Sequence, residues 1–148
     1  MSRAHELAWC AGFFDGEGWI TIQRRNSKVN GNTYEGHYLR IGINHVAPEP
    51  LQFLQSVLGG VFKYDISSEK QQADGCKRKP RYKWHASTSE AAEIIKQLLP
   101  YMRNKNKVAE LALTFQNTMR TDKRKVSDEV FNYREFLKQE ISNLNAKD

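Results

Sequence analysis

Between residues 9 and 25 the sequence changes its period, and that change limits the fold more than any other feature. "WCAGFFDGEG" (9–18) reads as the end of a buried helix, apolar and small residues closing on Asp15 and Glu17 among glycines. "WITIQRR" (19–25) then alternates, with Ile20 and Ile22 on one side and Trp19, Thr21, Gln23 and Arg25 on the other. That is the period-two signature of a half-buried strand. A helix must therefore hand the chain directly to a sheet, released by Gly16 and Gly18. The awkward part is charge. Carbonyls at a helix C-terminus already carry negative potential, so two carboxylates placed there need compensation.

The remaining segments supply a regular order. Ser2 can cap the first helix, expected to run to about Asp15. "NSKVNGN" (26–32) reads as a turn region. "HYLRIGINH" (37–45) alternates again, with Leu39, Ile41 and Ile43 inward and Tyr38, Arg40, Gly42 and Asn44 outward. Pro48 and Pro50 open a second helix that stops at Gly59-Gly60. "VFKYD" (61–65) and "RYKWHAS" (81–87) are two more strands, separated by a polar loop at 66–80. Ser87 with Glu90 reads as a capping box for a third helix. After Pro100, Val108, Leu111, Ala112 and Phe115 mark a fourth helix. The basic connector "MRTDKRKVS" (119–127) leads to a last helix striped by Val130, Tyr133, Leu137, Ile141 and Leu144.

The order α-β-β-α-β-β-α-α-α predicts an α+β fold, a four-stranded antiparallel sheet with helices on one face. A single domain is expected over residues 1–148, with the sheet at about 19–87 and the C-terminal helices at about 101–145; 39% hydrophobic residues suffice for a core. The uncovered sheet face would carry Trp19, Thr21, Gln23, Arg25, Tyr38, Arg40, Asn44, Lys63, Arg81 and Lys83. Long polar and cationic side chains on a ribbon suit base edges and phosphates, and a two-stranded ribbon fits the DNA major groove; a merely solvated face fits the same composition. A formal net charge of +6 is compatible with a polyanion without demanding one. "KRKPRYK" (77–83) is read as a phosphate contact and the Arg120–Lys125 connector as solvated.

Cys10 and Cys76 form no C-x-x-C pair, which argues against a disulfide framework or cysteine zinc site and for a reducing compartment. With no signal peptide and no span-length apolar run, a soluble intracellular protein of cytoplasm, nucleoid or organelle is expected, without membrane association. Along the first helix Ala4, Ala8, Gly12 and Gly16 recur every four residues, whereas Leu7, Ala11 and Phe14 lie on a side that suits a core. A small-residue stripe admits close approach of another backbone. Were that an identical helix, the copies would meet about a two-fold axis, with Ala8, Gly12 and Ala11 the expected contacts. Their acids would converge there, a conflict that divalent cations resolve.

"CAGFFDGEG" (10–18) resembles the LAGLIDADG motif of homing endonucleases, with Cys10 for the leading Leu and Glu17 for the second Asp. The αββαββα order, a saddle-shaped sheet in that family, agrees. Only one copy of the motif is present, and the resemblance implies a homodimer. It further implies that Glu17 binds the catalytic metal with help from the Gly16 carbonyl, while Asp15 supports the helix end. Lys105 matches a lysine near the attacking water, with Arg103 and Lys107 close in sequence. His45 falls where relatives carry a polar residue near the metal, with Asn44 its competitor. The basic residue some relatives carry after this strand has no match in "VAPEP" (46–50). The implied activity is an intron-encoded endonuclease that hydrolyses both strands of a long pseudo-palindromic DNA site with Mg²⁺, Mn²⁺ substituting. Intron RNA maturation, with that RNA as partner, and DNA regulation without cleavage are the competing readings.

Overall fold

The computed structural model describes residues 1–65, 80–119 and 126–146. Cys76, most of the polar loop, the basic residues 77–79 and the connector 120–125 lie outside the described residues. Helix α1 (Arg3–Glu17) starts where Ser2 predicts, the His5 amide donating to Ser2 Oγ at 3.2 Å. It runs two residues further than expected, so Gly16 is helical and Glu17 closes the last turn. The chain leaves at Gly18 in an extended conformation, φ −85° and ψ 168°. Glycine is needed at 18 for space, since a Cβ there would stand 2.5 Å from the Phe14 ring.

Strands β1 (Gly18–Val29) and β2 (Asn32–His45) pair antiparallel along their whole length. Asn30 and Gly31 join them, both at positive φ (52° and 81°), the two-residue turn whose twist matches the strands. Most of the segment expected as a turn is therefore ladder. Its polar composition reflects an outer hairpin exposed on both faces, as Asn26, Ser27, Lys28 and Thr33 show.

Helix α2 (Pro48–Leu58), strands β3 (Val61–Asp65) and β4 (Arg81–Ser87) and helix α3 (Thr88–Leu98) follow; a 3₁₀ turn at Leu99–Tyr101 precedes α4 (Asn106–Gln116) and α5 (Asp128–Ala146). The sheet is antiparallel in the order β1-β2-β4-β3. The fold is α+β with the expected αββαββα order and extra C-terminal helices. Alternation sends Ile20, Ile22, Leu39, Ile41, Ile43 and Trp84 to one face, where they pack under Phe14, Leu54, Ile95, Leu98 and Phe115 from the helices. Each such burial contributes about 1.5–3 kcal/mol, which holds the helical layer to that face and leaves the other bare.

Two local expectations are corrected. Ala11 is fully buried in this chain's own core, so it cannot meet a partner helix and belongs with Leu7 and Phe14. The Ser87–Glu90 capping box does not form, because Thr88 takes a left-handed φ of 56° just where the box needs a helical residue. Thr88 Oγ1 donates instead to the Ser87 carbonyl at 2.8 Å. Burial pushes the Cys10 thiol up to about 11, which makes it an inert core residue.

Candidate active site and nucleic-acid face

The two motif acids have opposite fates. Asp15 is 9% exposed and faces the turn that opens α4. Its Oδ2 accepts the Arg103 and Asn104 amides at 2.8 Å each, and its Oδ1 accepts the Lys105 amide at 2.7 Å. Lys105 is the N-cap of α4, which has no side-chain cap of its own. Asp15 thus holds, from a distant part of the chain, the turn that leads into α4. Burial alone would raise its carboxyl, but the three amide bonds and the nearby Lys105 charge outweigh that and hold it below the usual carboxylate range. Lys105 reciprocates, its Nζ donating to the Asp15 carbonyl at 2.9 Å. An ammonium therefore sits at the α1 C-terminus, where the helix dipole favours it.

Glu17, in contrast, is exposed, and among the described residues its carboxylate has no hydrogen-bond or salt-bridge partner. Gly16 beside it is also exposed, with no heavy atom within 4 Å of where a Cβ would stand. A carboxylate and a backbone carbonyl are the hard oxygen donors that suit Mg²⁺. Among the described residues no group of three or more His, Cys, Asp or Glu could hold a metal. Glu17 and the Gly16 carbonyl could supply two such donors.

The structure brings His45 beside α1, its ring 5.4 Å from that of Phe13, one turn before Glu17. Its Nδ1 accepts the Ala47 amide at 3.0 Å. With Nδ1 accepting, a neutral ring carries its proton on Nε2; with Nδ1 donating to the Ala47 carbonyl, 3.4 Å away, Nε2 is the acceptor. Arg103 and Lys107 are exposed, and of the three neighbouring cations Lys105 is the one whose charged side-chain group is bonded to the end of α1 among the described residues. Asn44 lies on the open sheet face opposite Lys83. Ala4, Ala8, Gly12 and Gly16 are all exposed, and Trp9 borders them at 42% exposure. Among the described residues nothing covers the small-residue stripe.

Strand register places every expected outward residue on one sheet face. Thr21 pairs with Arg40 and Gln23 with Tyr38; Lys83 lies between Asn44 and Lys63, and Arg81 opposite Asp65. The Trp19 ring covers Gly42, where a Cβ would come within 2.4 Å of it. Arg40 and Lys83 stand 5.9 and 5.8 Å from its centroid, within cation–π range. Tyr38 Oη donates to Gln23 Oε1 at 2.6 Å, and Arg25 lies 5.4 Å over the Tyr38 ring. Burial, then repulsion from Arg40 and Lys63, lowers the Lys83 pKa. His85 is lowered by burial and the same cations together with Lys83. Like charges strain one another here, and a polyanion would relieve them. His85 belongs to this face, as the alternation that marks Arg81 and Lys83 predicts.

A profile of the LAGLIDADG endonucleases matches residues 10–118, from the motif helix past the end of α4. The chain belongs to the LAGLIDADG endonuclease family. The solved structures agree in fold. The homing endonuclease I-CvuI, crystallised with a DNA target and 2 mM Mg with the DNA not cleaved, superposes with a TM-score of 0.72 at 20% identity, covering 96% of this chain and 83% of that one. The archaeal intron-encoded homing endonuclease I-Vdi141I, complexed with DNA, gives 0.70 at 13% identity over 97% and 86% of the two chains. I-LtrWI, a LAGLIDADG homing endonuclease bound to target DNA, gives 0.68 at 17% identity, but this chain spans only 44% of it. No curated protein matches in sequence. As a LAGLIDADG endonuclease the chain carries its motif at the end of α1, where Asp15 and Glu17 part. Among the described residues no helix is long and apolar enough to cross a membrane.

Proposed function

We propose that this LAGLIDADG endonuclease is a site-specific homing enzyme that pairs through α1 and hydrolyses both strands of a long, pseudo-palindromic DNA site. The observation that carries the reading is the split at the end of α1. Asp15 is held by the amides that open α4, while Glu17 stands free beside an uncovered small-residue face. Two such faces meeting about a two-fold axis would bring both Glu17 carboxylates together with the substrate.

Glu17 and the Gly16 carbonyl would hold Mg²⁺, or Mn²⁺ in its place, with remaining ligands from the second copy and the DNA. When bound, such an ion stabilises charge on the phosphate and lowers the pKa of water. The chain's own groups do the rest. Lys105, whose ammonium is fixed at the α1 end, would place positive charge near the scissile phosphate. His45 would donate a hydrogen bond from Nε2 to the phosphate or to an ordered water. Asp15 keeps the helix end and the Lys105 turn in register. Arg25, Arg40, Lys63, Arg81 and Lys83 would contact phosphates, and Thr21, Gln23, Tyr38 and Asn44 base edges. Trp19, bracketed by two cations, would form the floor of the groove contact nearest the cut. The relatives solved with DNA support a duplex substrate, and the intron-encoded one suggests the same origin here. The enzyme would act where that DNA lies, in cytoplasm, nucleoid or organelle.

The test is a cleavage selection on a randomised long-site DNA library in Mg²⁺, with Glu17→Gln as control. Paired cuts at a roughly palindromic site, lost in the variant, are the expected result. Specific binding without cutting in either metal would overturn it and point to a regulator, or to an intron RNA maturase if RNA competes.

A further inference from the structure

We infer that Glu135 on α5 is a positioning residue for DNA recognition, a clamp that grips the β1–β2 hairpin from behind and fixes where Gln23, Arg25 and Tyr38 stand. The inference rests on the nucleic-acid reading of the open face. Arg24 Nε donates to Glu135 Oε1 at 2.6 Å, and His37 Nε2 meets the same oxygen at 2.6 Å. Arg24 and His37 are direct cross-strand partners. One carboxylate therefore ties both strands to one helix.

The surroundings make this a rigid joint. The His37 side chain is fully buried, its ring 4.8 Å from Phe131 and 6.5 Å from Phe115. Among the described residues its Nδ1 is buried with no hydrogen-bond partner, and Glu135 provides the ring's polar anchor there. Arg24 lies 5.9 Å over the Phe131 ring. The helix that carries Glu135 is itself pinned. Arg134 donates to Thr118 Oγ1 at 2.9 Å and to the Thr118 carbonyl at 2.7 Å, and Asn145 Nδ2 donates to the Ile20 carbonyl at 3.1 Å.

Position explains why such a joint would matter. Two rungs closer to the core, on the same inward face, Ile22 and Leu39 pack by apolar contact. At the Arg24–His37 rung the inward face turns polar, although an apolar pair would avoid the orphaned Nδ1. Apolar contacts tolerate sliding, whereas short hydrogen bonds to one oxygen do not. The rungs on either side, Gln23–Tyr38 and Arg25–Gly36, point outward. Base readout needs placement within roughly 0.5 Å, and the clamp sits directly behind the side chains that would do the reading.

The experiment compares Glu135→Ala and Glu135→Gln with the wild-type chain on the DNA site the selection recovers. Steady-state cleavage, a substitution profile at every base pair, and amide exchange in the hairpin are measured together. Losing charge-assisted bonds should raise KM about tenfold in the alanine variant while kcat stays within about twofold. Discrimination should relax at the base pairs farthest from the cut and persist beside it, with exchange accelerated at residues 23–26 and 35–38. If Glu135→Ala fails to fold, Glu135→Gln, which keeps size and one accepting oxygen, should show the same pattern at smaller amplitude. Faster exchange with an unchanged profile and KM would overturn the inference and leave Glu135 a plain structural tie. A fall in kcat matching the loss of folded protein, with KM constant, would do the same. A wild-type chain that neither binds nor cuts DNA would instead overturn the reading beneath it.

Discussion

The inner and outer sides of α1 differ more than any other two regions of this chain. The inner side carries Cys10, Ala11 and Phe14 at zero exposure and ends on Asp15, whose carboxylate is enclosed by three amides. The outer side carries Ala8, Gly12 and Gly16, all exposed among the described residues, and ends on Glu17, which is exposed too. Two acids two residues apart thus have opposite surroundings, one enclosed by amides and one exposed. One takes part in holding the chain together, and the other has no hydrogen-bond or salt-bridge partner among the described residues.

The largest effect that could break this contrast is on activity. Glu17→Gln should lower DNA cleavage by about 10³-fold or more with an unfolding midpoint indistinguishable from wild type; a destabilised variant would mean that Glu17 has a structural partner after all. Asp15→Asn should do the reverse. It replaces an accepting oxygen with a donor facing amides, which should cost about 2–3 kcal/mol of stability in urea unfolding. Equal stability would sink the account of Asp15 as the anchor of the turn before α4.

Gly12→Leu sharpens the comparison on the outer face. The site is open, so within one chain the leucine costs nothing and adds up to about 1 kcal/mol of helix preference. Sedimentation should nevertheless show monomers, and a persistent dimer would exclude this face as the interface.

The mildest effect is on pH. Hydrogen bonds from Arg24 and His37 hold the Glu135 carboxyl at about 2, below its ordinary 4.5, and Asp15 is depressed as well. Both contribute stability that is complete above about pH 5 and is lost as protons are taken up on the way towards pH 2. Urea midpoints should therefore fall between pH 6 and pH 3, with a smaller fall in Glu135→Gln.

How much of this was legible in the sequence follows from the range over which each feature is decided. Alternation at Ile20, Ile22, Leu39, Ile41 and Ile43 reports which side of a strand is apolar, and the sheet obeyed it residue by residue. The outward set from Trp19 to Lys83 followed from the same parity. The hairpin was misjudged near Ser27 and Lys28 because a doubly exposed strand has no apolar side to alternate. Ser87 and Glu90 had the spacing of a cap, but a left-handed Thr88 overrode it.

Local pattern was enough for the order of elements, the two faces of the sheet, the small-residue stripe and the motif, because each depends on residues within a few turns or rungs. Packing alone decided the pairing of polar groups. Asp15 meets amides 88 to 90 residues away, and Glu135 meets Arg24 and His37 across 111 and 98 residues. A carboxylate carries no sign in its own neighbourhood of which distant donor will reach it. That is settled only when apolar burial has brought the helices onto the sheet, and it is what separates Asp15 from Glu17.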